Sequence, residues 1–444
     1  MVSVKEDNNV KNILIKSGKI VDPIKRTESV SDIYIKNGII SEIREKIDIT
    51  GDNIVVINAD GYTVSPGFVD MHAHLREPGF EDEETIESGT LAAIKGGITS
   101  VACMPNTSPA IDNQSAVRYI LEKSKNMACN VFPVAAMTAG CKGINITEIG
   151  LLAEAGAIAF SDDGNSVKDS KLMYEIMRYS RQFGIPLILH EEDSSISKSG
   201  LVHEGHYSTI LGLEGISSLS DDLMIARDII LAARSKARIH ITHLSTKNSV
   251  KMIKRAKEEG VNITCDVTPH HLFFNDSCLT TFNTSFKVKP PIRSEEDRMA
   301  LIEGIKGGVI DAIASDHAPH LDTEKNTTFK LASFGTIGLE TLFSAAFTKL
   351  CIEEKISLPV LINLISASPA AILGIDAGKI EAGKVASITI IDTGAEEVIK
   401  KESFISKSKN SAFIGQKLKG KIVCTVSKGK LAYRDKCIKE RSIS

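Results

Sequence analysis

Eight short apolar runs recur between residues 67 and 320, and each ends in polar or ionisable residues. They read GFVDMHAH (67–74), GITSVACMPN (97–106), NVFPVAAMT (130–138), GAIAFSDDG (156–164), IPLILHEE (185–192), ARIHITHLST (237–246), VNITCDVTPHH (261–271) and VIDAIASDHAPH (309–320). Most are separated by segments of helical period, such as SKLMYEIMRYSRQFG and SVKMIKRAKEEG, which stop at a glycine, a common C-terminal signal. Eight strands alternating with helices predict an α/β fold, a (β/α)8 TIM-type barrel over residues 66–374. An open doubly wound sheet is the alternative, but no GxGxxG follows the first strand and polar residues gather at nearly every strand end.

The flanks follow a different rule. NILIKSG, KIVDP and DIYIKNGIISEIRE near the start, and KVASITIIDTG and GKIVCTVSKGKLAY near the end, alternate apolar and polar residues between Asn-Gly and Lys-Gly turns. A small β-sandwich domain is expected from both termini, residues 1–65 and 375–444.

In a barrel of this kind chemistry sits at the C-terminal strand ends. Those ends carry His72, His74, Asn106, Asp163, His190, His243 and Asp316. Residues two apart on a strand share a face, so His72 and His74 point the same way. On the fourth strand Asp163 shares a face with Ala157, Ala159 and Ser161, opposite the bulkier Ile158 and Phe160, and is expected to point inward. His243 lies with Ile239 and Ile241, which leaves His240 outward. Asp316 lies with Ala312 and Ala314. Four histidines and two aspartates converging on one cavity are costly unless a divalent metal takes them as ligands. Six donors exceed one tetrahedral ion, and Asp163 can bridge two, so a two-metal centre with a bridging water or hydroxide is expected. His203 and His206 are expected at the surface, His270 and His271 as packing groups, and His317 as a support.

The remaining composition excludes other roles. Of 444 residues 42 % are hydrophobic and 25 % charged, with a net charge of −3, so nucleic-acid binding and membrane-surface binding are not expected. The polar start MVSVKEDNNVKN lacks the pattern of a secretory leader. The eight cysteines contain no CxxC pair, which suits reduced thiols and a cytoplasmic location.

The ordered set SPGFVDMHAHLREPG, CMPNTSP, AFSDDG, LHEE, THLSTK, DVTPHHL, KPPIR, ASDHAPH and SFGTIGLET resembles the amidohydrolase superfamily and, within it, the bacterial type I dihydroorotases. The resemblance spans nearly the whole chain. It implies metal ligation by His72, His74, Asp163, His190, His243 and Asp316, with two zinc ions per subunit bridged by Asp163 and a hydroxide. It implies substrate contacts at His74, Arg76, Asn106 and His320, and backbone contacts at Phe334 and Gly335. Other cyclic-amide hydrolases of the superfamily carry a carboxylated lysine on the fourth strand, where this chain has SDDG. The family has Asn where this chain has Lys289, which is taken as a variant substrate contact.

The activity implied is reversible hydrolysis of (S)-dihydroorotate to N-carbamoyl-L-aspartate in pyrimidine synthesis, with Asp316 as catalytic proton shuttle. The substrate is then a small molecule bearing a carboxylate that Arg76 suits. A homodimer, and association with an aspartate transcarbamoylase, are implied as well. An allantoinase or hydantoinase, or a catalytically silent relative, are the alternative readings. The loop 321–335 is expected to help close the mouth.

Overall fold

The computed structural model describes residues 12–49, 53–438 and 440–443. Part of the N-terminal segment examined for a leader, residues 1–11, lies outside them. Eight parallel strands form the barrel: β1 (Phe68–Ala73), β2 (Ile98–Cys103), β3 (Asn130–Ala135), β4 (Ala159–Phe160), β5 (Leu187–Leu189), β6 (Ile239–Ile241), β7 (Ile263–Val267) and β8 (Ala312–Ile313). They pair in sequential order from β1 to β8. The ring closes beyond β8 through a parallel bridge from Ala73 to His317, where the His74 N–H donates to the His317 carbonyl at 2.9 Å.

Side-chain period sorts the barrel residues into two cores. Val69, Met71, Ala102, Ala159, Ile188 and Ala312 fill the interior. Phe68, Val101, Phe160, Leu187, Ile239 and Ile313 pack outward against the helices. The helices stop where expected: Ser170–Ser180 runs on through a 3-10 turn to Gly184 (φ 67°), and Lys247–Glu258 ends just before Gly260 (φ 77°).

The terminal segments meet in one continuous nine-stranded sheet, not two hydrogen-bonded layers. The C-terminal strand Ile388–Val398 runs antiparallel to Thr63–Pro66, which lies beside Asn12–Asp22. Ile13, Ile33, Val64, Ile388, Ile390 and Val423 share a core of their own, so the sheet curls over itself. NILIKSG and KIVDP are one strand with an irregularity between Ile15 and Gly18. Both predicted hairpins form: Asn37 and Gly38 have φ of 51° and 81°, and Lys428 and Gly429 of 52° and 75°. Such a left-handed pair matches the twist of the strands it joins.

Between the last two long strands, residues 404–413 leave the sheet and lie against the barrel. Ser406 Oγ donates to the Glu84 carboxylate, Ser408 Oγ to the Glu83 carbonyl at 2.7 Å, and Asn410 Nδ2 to the carbonyls of Ala318 (3.0 Å) and Gly335 (3.2 Å). No helix among the described residues is long and apolar enough to cross a membrane.

Candidate active site

Regular alternation from Val69 and Met71 would send His72 and His74 outward. The register of β1 against β2 shifts between Asp70 and Ala73, inserting one extra residue in β1. Ala73 and Leu75 consequently join the outer core, and both histidines turn into the mouth. The Asp70 carboxylate secures the irregularity by accepting from the N–H groups of His72 (3.2 Å) and Ser315 (3.0 Å). Burial pushes its pKa up to about 6, against those hydrogen bonds.

His243 enters by another device. Its neighbours Ile239 and Ile241 pack outward, so the sequence-based assignment of faces on this strand is reversed. His243 reaches the mouth because it adopts φ of 39°, and Asp316 and Arg76 are likewise left-handed at 46° and 61°. Each such residue costs on the order of 1 kcal/mol and persists only where its surroundings hold it. His240, expected outward, points inward beneath the site: it is fully buried, with Nε2 2.9 Å from Asp266 Oδ2 and Nδ1 2.8 Å from Thr264 Oγ1.

The six donors meet. His72, His74 and Asp163 form one trio with ligand atoms within 4.8 Å of one another, and Asp163, His190 and His243 form a second. Asp163 belongs to both. Asp316 Oδ1 lies 3.6 Å from His72 Nε2 and 3.4 Å from His74 Nε2. His190 Nδ1 faces His243 Nε2 at 2.9 Å and Asp163 Oδ1 at 3.6 Å.

The donor chemistry fits divalent metal. His72 Nδ1 lies 2.7 Å from Thr242 Oγ1, which donates to Asp266, and His74 Nδ1 lies 2.9 Å from Asn106 Oδ1. An amide oxygen accepts only, so Nδ1 of His74 carries the proton and its Nε2 presents a lone pair to the cavity. His72 Nε2 and Asp163 Oδ1 are buried with no hydrogen-bond partner among the described residues, as expected of ligand atoms. Burial alone would raise the Asp163 carboxyl, but the imidazoles of His72, His190 and His74 outweigh it and hold it well below the usual range. Burial opposes charge on His72 too, yet Asp163 and Asp316 push its pKa up to about 9. His74 and His243 are pushed the other way, chiefly by burial, which favours the neutral imidazole that a metal takes as ligand.

The other half of the mouth carries the residues tied to substrate by resemblance. Arg76 Nε pairs with Glu83 Oε2 at 2.7 Å and donates to the Pro319 carbonyl at 3.1 Å, while Nη2 lies 3.3 Å from His320 Nε2. Its Nη1 makes no hydrogen bond to a described residue, so one donor is open. His320 Nε2 donates to the Phe334 carbonyl at 2.7 Å. The Asn106 amide is engaged within the cluster, with Nδ2 3.5 Å from Asp163 Oδ2. The Gly335 N–H donates to the Lys287 carbonyl at 2.8 Å and does not face the mouth as a free donor. Lys289 Nζ pairs with Glu192 Oε1 at 2.7 Å and sits 5.3 Å over the Phe334 ring.

Several groups escaped the sequence reading. Glu192 Oε2 lies 3.5 Å from His190 Nε2, and Thr242 and Asp266 orient His72. All three belong to strand-end motifs, LHEE, THLST and DVTP, which is the signal that marks them. Glu83 follows no strand and carries no such signal. His203 is half-buried: Arg293 Nη1 lies 3.3 Å from its Nδ1, and burial together with that cation pushes its pKa down to about 4. His206 is exposed, His270 and His271 are buried, and His317 accepts from the Gly338 N–H at 3.2 Å as a support.

A family model described as dihydro-orotase-like matches residues 61–249. The dihydroorotase of Acetivibrio thermocellus is 45 % identical over 427 residues, 96 % of this chain and 100 % of that protein. That of Thermoanaerobacter sp. is 46 % identical over 423 residues, 95 % of this chain and 97 % of the relative. Among solved structures, the L-hydantoinase of Arthrobacter aurescens matches with a TM-score of 0.85 over 95 % of this chain and 96 % of its own, at 24 % identity, a likeness of fold alone. Barrel, curled terminal sheet and donor-lined mouth together give the chain an amidohydrolase-type fold. Identity near 45 % over nearly the full length then narrows the class: the chain belongs to the dihydroorotase family.

Proposed function

We propose that the chain catalyses the reversible hydrolysis of (S)-dihydroorotate to N-carbamoyl-L-aspartate, with two zinc ions held by His72, His74, Asp163, His190, His243 and Asp316. The observation that carries this is the pair of donor trios sharing Asp163, set beside an arginine with an open Nη1. Bound divalent metal supplies Lewis acidity toward the ring carbonyl and toward water.

The chain's own residues do the rest. Arg76 and His320 bind the exocyclic carboxylate, and Lys289 adds positive charge from the opposite side, so the ring is oriented before reaction. Asn106, held against the donor His74, is a further contact for the substrate. Asp316, within 3.6 Å of both His72 and His74, takes a proton from the attacking water as the new C–O bond forms. It returns that proton to the ring nitrogen as the C–N bond breaks. In the reverse direction the amide nitrogen of carbamoyl aspartate attacks the side-chain carboxyl, Asp316 receives the nitrogen's proton, and water leaves. Closure consumes one proton from solution, so mild acid favours it.

The reading places the enzyme in pyrimidine synthesis in the cytoplasm. A homodimer and a transcarbamoylase partner follow from the family resemblance, and light scattering of the purified chain tests the first. The deciding experiment offers dihydroorotate, hydantoin and allantoin side by side, and follows closure of carbamoyl aspartate at slightly acidic pH. Turnover of dihydroorotate and carbamoyl aspartate alone is expected; faster turnover of hydantoin or allantoin overturns the proposal.

A further inference from the structure

Lys287 and Lys325 are 2 % and 6 % exposed, and neither has a carboxylate within ion-pair distance among the described residues. A buried lysine without a counter-ion is expensive, so its nitrogen must be satisfied otherwise. Both are satisfied by one short loop. Lys287 Nζ donates to the carbonyls of Lys330 (2.9 Å) and Ala332 (2.6 Å), and Lys325 Nζ to those of Ser333 (2.7 Å) and Gly335 (2.8 Å). Between the last two of these, the Phe334 carbonyl accepts from His320. The N–H groups of Leu331, Ala332, Ser333 and Gly335 are bonded to the carbonyls of Thr328, Thr328, Glu324 and Lys287, so the two lysines, with His320 and Asn410, supply the carbonyl side of the loop's hydrogen bonds.

Phe334 is what the arrangement presents. Its carbonyl meets His320 beside Arg76, and its ring lies 4.7 Å from Lys287 Nζ and 5.3 Å from Lys289 Nζ. Lys289 leads through Glu192 to His190. The pinned residue thus spans the mouth from the arginine side to the donor side.

We propose that Lys287 and Lys325 are positioning residues, a two-lysine staple that fixes residues 330–335 so that Phe334 and His320 are set for substrate before it arrives. The proposal rests on the dihydroorotase reading only for the identity of the substrate. A staple of this kind lowers the ordering cost of binding and leaves the reacting groups untouched, so its loss falls on KM.

The test uses the full-length, metal-loaded enzyme with Lys325→Met and Lys287→Met. Hydrogen exchange of peptides covering 328–336 is compared with that of peptides covering β6, alongside KM and kcat for carbamoyl aspartate and metal per chain. Each variant is expected to speed exchange in the loop and raise KM, both by about tenfold, while kcat stays within about threefold. Exchange in β6 and metal content should not change. Unchanged loop exchange with unchanged KM overturns the staple. So does uniform acceleration across the chain with KM and kcat equally damaged, which would mark a purely structural role. Should a methionine variant fail to fold, Lys325→Gln, which keeps a neutral donor for one carbonyl, is read the same way, with a smaller rise in both quantities supporting the staple and none overturning it. If wild type does not turn over carbamoyl aspartate, the substrate reading fails, and the exchange comparison still decides the staple.

Discussion

On one side of the barrel mouth the donor side chains are placed by where strands end; on the other, the groups around Arg76 are placed by residues remote in sequence. His72 and His74 sit at the end of β1, and His190 and His243 just past β5 and β6. Their positions follow from strand length, one irregularity and a few left-handed residues. Arg76, His320 and Phe334 are fixed instead by Glu83, Asn410, Lys287 and Lys325, through salt bridges and carbonyl contacts. The donor half is therefore built mainly on the strand ends, whereas the clamp half depends more on individual polar contacts that can be removed singly. Under the proposed function, reaction chemistry belongs to the first half and substrate affinity to the second.

That division can be broken by experiment. Dialysis against a strong chelator should abolish turnover and added zinc should restore it; activity that survives complete metal removal would dissolve the distinction. Asp316→Ala should lower kcat by about a thousandfold with the circular-dichroism spectrum unchanged, since it removes the proton carrier from the donor half. A folded variant with normal kcat would take Asp316 out of that role. Arg76→Met belongs to the other half and should raise KM by about ten- to a hundredfold, the worth of one charged hydrogen bond or two. Equal metal content in mutant and wild type is part of this expectation, and loss of metal would place Arg76 among the donors' supports. Lys289→Asn, which restores the family's residue, should change kcat/KM by no more than about threefold.

The smallest effect sharpens the contrast through pH. Burial, with Lys287 adding to it and Glu324 opposing, pushes the pKa of Lys325 down to about 7 from its ordinary 10.5. Below about pH 7 the lysine is charged in both folded and unfolded chains, and the cost of burying that charge is fully present. Between about 7 and 10.5 the unfolded chain holds the proton that the folded chain has lost, so this group makes stability rise with pH. Lys325→Met should flatten that rise, measured as urea midpoints at pH 7 and pH 9. Parallel curves for variant and wild type would show that the group does not titrate in this range.

How much was legible in the sequence follows the same line. Period and strand ends were enough for the barrel, for a small sheet domain drawn from both termini and for bringing the six donors to one place. They were not enough for direction on β6: His240 faces inward, opposite Ile239 and Ile241, and His243 joins it there only because it is left-handed, a property alternation cannot carry. Nor did the sequence mark Glu83 or the two lysines under the loop. A side chain that satisfies a distant carbonyl leaves no periodic trace, and a lysine reads as surface until its surroundings are known.

The segment 404–413 has one further consequence. A growing polypeptide has all six donors in hand once residue 316 is made, yet the contacts of Ser406, Ser408 and Asn410 to Glu84, Glu83 and Gly335 come only some ninety residues later, at 406–410. On the proposed reading, synthesis supplies every donor well before it supplies these contacts to the clamp side. A product released short of residue 404 would carry all six donors yet lack Ser406, Ser408 and Asn410.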